Sequence, residues 1–165
     1  MGCGSSQVED PLESGRQFLE SISQEDNVHK LPSGMYFKIL TPTPDADGMS
    51  PTASDPCKVH YHGTFTSGKK FDSSMDRGKP STFAPNEVIK GWTEALQLMT
   101  EGEQWEVYLP HELAYGARGA GDDIPGYSTL VFKIHLIKVL KGGKPGSQAH
   151  AKLEKLTGHE YSELY

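Results

Sequence analysis

EVIKGWTEALQLMTEG, residues 87–102, is the stretch on which the fold turns. Val88, Trp92, Ala95, Leu96 and Met99 recur at helical spacing, the stripe of one short amphipathic helix, and Gly102 stands where a C-terminal cap belongs. The stripe is wide enough to be covered by a sheet, and strand-forming sequence lies on both sides of it. Downstream, QWEVYLP (104–110) alternates Trp105, Val107 and Leu109 against Gln104, Glu106 and Tyr108, and Pro110 closes the run as an antiparallel strand. TLVFKIHLIKVL (129–140) repeats the alternation at greater length, with Leu130, Phe132, Ile134 and Leu136 on one face and Lys133 and His135 opposite. Upstream, GTFTSGKKFDSS (63–74) sets two short apolar runs around a Ser67-Gly68 turn, which predicts a hairpin. Antiparallel strands covering one helix give an α+β fold class.

A second pattern cuts across these elements. Tyr61, Phe71, Phe83, Val88, Ile89, Trp92, Tyr115, Ile124 and Phe132 are aromatic or aliphatic, and each lies beside turn chemistry that would hold it in place. Together with a single acid, Asp72, they describe a dry pocket. A charge directly after an aromatic calls for a partner, and Arg77, five residues on, is the nearest candidate. LAYGARGAGDDIPGYS (113–128) is rich in glycine yet carries Tyr115 and Ile124, the mark of a binding loop.

Several segments bring a family into view: VHYHG at Val59, FDSS with DRGKP from Phe71 to Pro80, EVIKGW at Glu87, LAYG at Leu113 and TLVF at Thr129. In this order they resemble the FKBP-type peptidyl-prolyl cis-trans isomerases, immunophilins that also bind macrolides, over roughly residues 34–141. GRQFLES followed by LPSGMYFKIL is similar to the stretch preceding the catalytic domain in the Mip-like branch. The resemblance implies an antiparallel half-barrel sheet wrapped around the helix, with no cofactor and no metal. It implies that Trp92 is the floor beneath a proline ring and that Tyr61, Phe71, Val88, Ile89 and Phe132 are walls. Phe83 and Ile124 complete the substrate-binding set. The Tyr115 hydroxyl and the Ile89 amide would hydrogen-bond ligand carbonyls, and Asp72, steadied by Tyr61 and Arg77, would face the amide carbonyl. The implied partners are proline-containing peptides and proteins and macrolide inhibitors of the rapamycin type. The chain departs from the family at Ser81, where an aromatic often lines the pocket, at Ala120, where histidine is common, and at Asp122-Asp123. That acidic pair should repel acidic substrates and removes an apolar lip from the macrolide site.

Length and charge agree with this. The 165 residues support one domain with a real core plus appendages. Residues 1–10 read as a flexible N-terminus, 11–33 as a helical lead-in, 34–141 as the isomerase domain and 142–165 as a tail with the pattern of a short helix. A net charge of -6 with 23% charged residues argues against nucleic-acid binding, which needs a cationic surface. No apolar run approaches membrane-spanning length. The start, MGCGSS, fits N-myristoylation at Gly2 with Cys3 as a palmitoylation candidate, and two acyl chains would tether the protein stably to a membrane. Residues 1–20 contain no apolar stretch of signal-peptide type. The expected location is therefore the cytoplasm, with membrane tethering through the acylation motif; a mature secreted form stays open. A noncatalytic adaptor presenting the same pocket at a membrane is the alternative function.

Other motifs carry less. GTFTSGKK resembles a phosphate-binding loop, but Lys70 stands where Ser or Thr belongs and a hairpin surrounds it. DADG at Asp45 lacks the remaining ligands of a calcium loop. His60 and His62 share a strand face without an evident third metal ligand, and Cys57 reads as a small buried hydrophobe.

Overall fold

A computed structural model describes residues 10–165; the acylation motif at Gly2 and Cys3 lies outside the described residues. The first element is helix α1 (Pro11–Ile22), which opens on Asp10, whose carboxylate accepts from the Leu12 amide at 3.1 Å, with proline at the first helical turn. Strands β1 (His29–Lys30), β2 (Tyr36–Thr41), β3 (Met49–Ser50), β4 (Cys57–Phe65), β5 (Lys70–Ser73) and β6 (Ser81–Phe83) precede helix α2 (Lys90–Leu98). Strands β7 (Gln104–Leu109), β8 (Leu130–Val139) and β9 (Lys144–Pro145) and helix α3 (Gly146–Thr157) complete the chain. The main sheet runs β1-β2-β7-β8-β4-β5, with β6 paired to the first part of β4 and every pairing antiparallel. Strands β3 and β9 form a separate two-stranded ladder. The α+β architecture is the expected one, an antiparallel sheet wrapped around α2.

The alternation read from the sequence holds along β8 as far as Leu136 and then changes phase. Lys58 pairs with Lys138 but Val59 pairs with Leu136, so Ile137 is an extra residue, a β-bulge, and Val139 returns to the buried face. Tyr108, expected on the solvent face of β7, is buried because Phe18 of α1 covers it, the two rings 6.2 Å apart. Phe37 of β2 stacks on Trp105 of β7 at 4.7 Å.

Helix α2 is shorter than its stripe suggests. Pro85–Glu87 forms a 3₁₀ turn, Val88 and Ile89 are extended, and the helix begins only at Lys90. The Thr93 hydroxyl donates to the carbonyl of Pro85 at 2.6 Å and lies 3.2 Å from those of Val88 and Ile89, fixing this kinked entry. At the other end the helix stops at Met99, whose backbone is extended. Thr100 N donates to the Glu103 carboxylate at 3.0 Å while Glu103 N donates to the Thr100 carbonyl at 2.9 Å, a reciprocal turn that competes with further helix. Gly102 takes its left-handed backbone (φ +96°) inside that turn rather than as a helix cap. Gly91 lets α2 seat on the sheet: a Cβ there would stand 2.4 Å from the Leu109 side chain.

The lead-in and the tail join the same core. Leu31 from the lead-in and Leu153, Tyr161 and Leu164 from the tail are buried in one cluster with Phe37, Trp92, Leu96, Trp105 and Phe132. α3 ends on Gly158 in the left-handed conformation (φ +76°), the expected cap for a helix that stops there.

Candidate active site

The site is built by the concave face of the sheet, the entry to α2 and the loop after β7. Tyr61 and Phe132 point inward from β4 and β8, Phe71 and Asp72 come from β5, and Phe83 comes from β6. Val88, Ile89 and Trp92 come from the entry and first turn of α2. With Tyr115 and with Glu87, they line one cavity of about 460 Å³. The β4–β5 hairpin makes this possible because Gly63 faces two rings: a Cβ there would lie 2.7 Å from Phe71 and 2.8 Å from Phe132. The rings pack edge to face around the indole. Tyr61, Phe83 and Phe132 stand 5.1, 5.8 and 5.3 Å from Trp92 at interplanar angles of 78°, 86° and 88°. Trp92 is thereby locked at the base, only 4% exposed.

At the edge sits a closed polar triangle. The Tyr61 hydroxyl donates to Asp72 Oδ2 at 2.6 Å, Arg77 Nη1 donates to Asp72 Oδ1 at 2.6 Å, and Arg77 Nη2 donates to the Tyr61 oxygen at 3.0 Å. Partial burial would raise the Asp72 pKa, but the bonds from Tyr61 and Arg77 and the charge of Arg77 outweigh it, so the carboxyl is held below its ordinary value. Burial pushes the Tyr61 phenol up, and its bond to Asp72 adds to this. Tyr115, 38% exposed at the mouth, is also shifted up, by burial and then by the charge of Asp72. The result is a mainly apolar chamber in which the carboxylate beside the aromatic rings, Asp72, is already neutralised by its own cation.

Two expected residues stand back from the chamber. Arg77 acts through Asp72 and Tyr61 and does not line the cavity. Ile124 is 7% exposed and belongs to the core, where it closes a tight bridge with Ala120 through backbone bonds of 2.9 and 3.1 Å. Asp122 and Asp123 are exposed within the turn that this bridge closes, and Asp123 lines a separate groove beside the β4–β5 turn and α1, not the aromatic cavity. The acid at the cavity lip is Glu87, missed in the sequence. Its Oε1 accepts from the Ala84 amide at 2.8 Å, closing the 3₁₀ turn; with alanine at the capping position, no capping-box signature marks it in the sequence. Ser81 is half-buried on β6.

The histidines lie elsewhere. His60 and His62 bond the Ser74 and Ser73 hydroxyls through Nδ1 at 2.9 and 3.0 Å, and His60 pairs across the sheet with His135. Among the described residues no group of three His, Cys, Asp or Glu is placed to hold a metal. Cys57 is buried, its thiol pushed up to about 11 by burial and then by Asp55, and it donates to the Phe83 carbonyl.

Comparison with known proteins places this geometry. Residues 48–137 match the model of the FKBP-type peptidyl-prolyl cis-trans isomerase domain. The macrophage infectivity potentiator of Trypanosoma cruzi is 49% identical over 130 residues, covering 79% of this chain and 65% of that protein. The crystal structure of FkpA from Escherichia coli superposes with a TM-score of 0.74 at 34% identity, over 86% of this chain and 63% of that one. A peptidyl-prolyl cis-trans isomerase from Pseudomonas syringae pv. tomato superposes with a TM-score of 0.72 at 37% identity, over 81% of this chain and 99% of that one. The chain spans 65% and 60% of the length of the first curated relatives it matches. On its sequence match and its fold, the chain belongs to the FKBP-type peptidyl-prolyl cis-trans isomerase family.

Proposed function

We propose that the protein accelerates cis-trans rotation of X-Pro peptide bonds in proline-containing peptides and proteins, and so assists their folding. The observation that carries this is the aromatic chamber on Trp92 with a self-neutralised Asp72 at its edge. Rotation about an X-Pro bond faces a barrier of roughly 18–20 kcal/mol because resonance keeps the amide planar. The planar form is the more dipolar and is favoured by water. Moved into an apolar chamber it loses that solvation, whereas the twisted transition state, less resonant and less dipolar, loses little. A tenfold acceleration corresponds to about 1.4 kcal/mol, so a thousandfold effect asks for only about 4 kcal/mol. Desolvation with one or two hydrogen bonds is enough for that, without nucleophile or redox chemistry.

Each residue then has a part. The proline ring stacks on Trp92 between Tyr61, Phe83 and Phe132. The Ile89 amide is available to a substrate carbonyl, since a residue preceding a helix has no carbonyl inside that helix to bond. The Tyr115 hydroxyl donates from the mouth. Asp72, anionic but compensated, orients the amide carbon-oxygen dipole and favours the twisted form electrostatically. Macrolides of the rapamycin type enter the same chamber; Ser81 and Ala120 give them less apolar contact than larger side chains would.

The test is turnover of a blocked Leu-Pro tetrapeptide with and without rapamycin, for the intact chain and for Tyr115→Phe and Asp72→Leu. Turnover that the drug blocks supports the isomerase. Drug binding without turnover makes the protein an adaptor, and neither result leaves the chamber serving some other apolar ligand.

A further inference from the structure

A second groove lies on the far side of α2, between that helix and α3. It encloses about 370 Å³ over Leu98, Leu113 and Leu156. Beyond Lys152 and Leu156 it continues onto an apolar strip beside Pro32 and Ala151. Lys90, Lys152 and Lys155 stand around it, exposed, and none is in an ion pair among the described residues. The one acid at this groove, Glu94, is engaged by the Ser33 hydroxyl at 2.5 Å. Lys144 has its pKa lowered, chiefly by burial and secondarily by the charge of Lys152. In a chain of net charge -6, a cationic rim over a leucine floor is local and distinct.

This groove adjoins the aromatic chamber through shared elements. Lys90 follows Ile89 directly, and Leu113 is two residues from Tyr115, so these two chamber residues have close sequence neighbours in the groove. In α2 and the extended entry before it, Val88, Ile89 and Trp92 serve the chamber while Thr93, Glu94 and Gln97 serve the groove.

We propose that the α2–α3 groove is an exosite for the same client chain, taking an acidic segment with leucine-type anchors that lies a few residues from the proline held on Trp92. The proposal rests on the isomerase reading. The nine residues of α2 rise roughly 13 Å, which an extended chain covers in about four residues. The segment thus falls at least about four residues from the proline. Acidic side chains meet the lysines at the rim and apolar ones enter over Leu113 and Leu156. Such contacts are equal in ground and transition states, so they lower KM and leave kcat alone.

The probes are a blocked Ala-Leu-Pro-Phe tetrapeptide, the same peptide extended at either end by Gly-Ser-Gly-Asp-Leu-Leu-Glu, and an extension with Lys in place of Asp and Glu. They are compared on the intact chain and on the double variant K152E/K155E, both sites being exposed. One acidic extension should lower KM about tenfold relative to the tetrapeptide, through apolar contact and surface ion pairs. High salt should erode the gain, and K152E/K155E should abolish it while turnover of the tetrapeptide is unchanged. Equal kcat/KM for all peptides on the intact chain would overturn the exosite. Should the tetrapeptide not be turned over, the isomerase reading fails alone. Fluorescence titration of the labelled acidic extension then decides the groove: binding lost in K152E/K155E supports it, and no binding to the intact chain refutes it.

Discussion

Among the carboxylates held by a tyrosine hydroxyl, Asp72 and Glu103 sit in opposite surroundings. Asp72 accepts from Tyr61 and Arg77 at the edge of the chamber, and its side chain remains 44% exposed. Glu103 is fully buried and accepts from the Tyr161 hydroxyl, the Thr43 hydroxyl at 3.0 Å, Trp105 Nε1 at 3.2 Å and the Thr100 amide at 3.0 Å, with His150 Nε2 at 3.3 Å. The first triangle borders a cavity; the second joins β7, the chain after β2 and the C-terminal segment, and His150 stacks on Tyr161 at 3.7 Å to seal it. Similar chemistry serves a site where there is room beside it and serves cohesion where there is none. A buried polar network contributes only when every member is satisfied, so the Glu103 cluster fixes how α3 and the tail dock.

The largest effect that would sharpen this contrast is on stability. Glu103→Ala strands several buried donors, and denaturant titration should show a loss of about 3–5 kcal/mol, with specific activity of the remaining folded protein intact. Cheap tolerance of that change would mean the network is not what holds the tail. Asp72→Leu should do the reverse: turnover about tenfold lower or more, about 1.4 kcal/mol at the barrier, with stability changed by less than about 1 kcal/mol because the Asp72–Arg77 pair is largely exposed. Equal losses of rate and stability would take Asp72 out of the mechanism. Smaller again is the tyrosine comparison. Tyr161→Phe should cost about 1–2 kcal/mol of stability, while Tyr61→Phe should act mainly on rate.

The two clusters also differ in how far the sequence discloses them. Asp72 stands after an aromatic, with Arg77 five residues on, and both fall in local motifs, so the triangle could be anticipated. Glu103 reads as one more charge in the TEGEQ turn, and its partners are 60 residues away at Thr43 and 58 away at Tyr161. No local pattern encodes such a meeting. For the same reason the tail read as an appendage, although Leu153 and Leu164 are wholly buried. Helix α2 was legible as a stripe but not in its ends, because Thr93 and Glu103 bond backbone that periodicity would have left helical. Ile124, expected in the substrate-binding set, stands back from the cavity lining, and apolar character alone cannot say on which side of a loop a side chain falls.

The smallest expected effect is an absence of pH dependence, and the sign follows from the Asp72 triangle. The Asp72 pKa is lowered in the folded protein, so the stability it contributes is fully present above the unfolded carboxylate value of about 3.9 and is lost only as pH falls through the folded value. Tyr61 is shifted up from its ordinary value near 10 and keeps its proton throughout the neutral range. Turnover measured by NMR exchange, which needs no coupling protease, should therefore be flat from about pH 5 to 9 and fall only in stronger acid. A bell centred near neutrality would implicate a histidine. Among the described residues no histidine lines the chamber, so such a profile would break the separation between a self-neutralised Asp72 and a mechanism that moves protons.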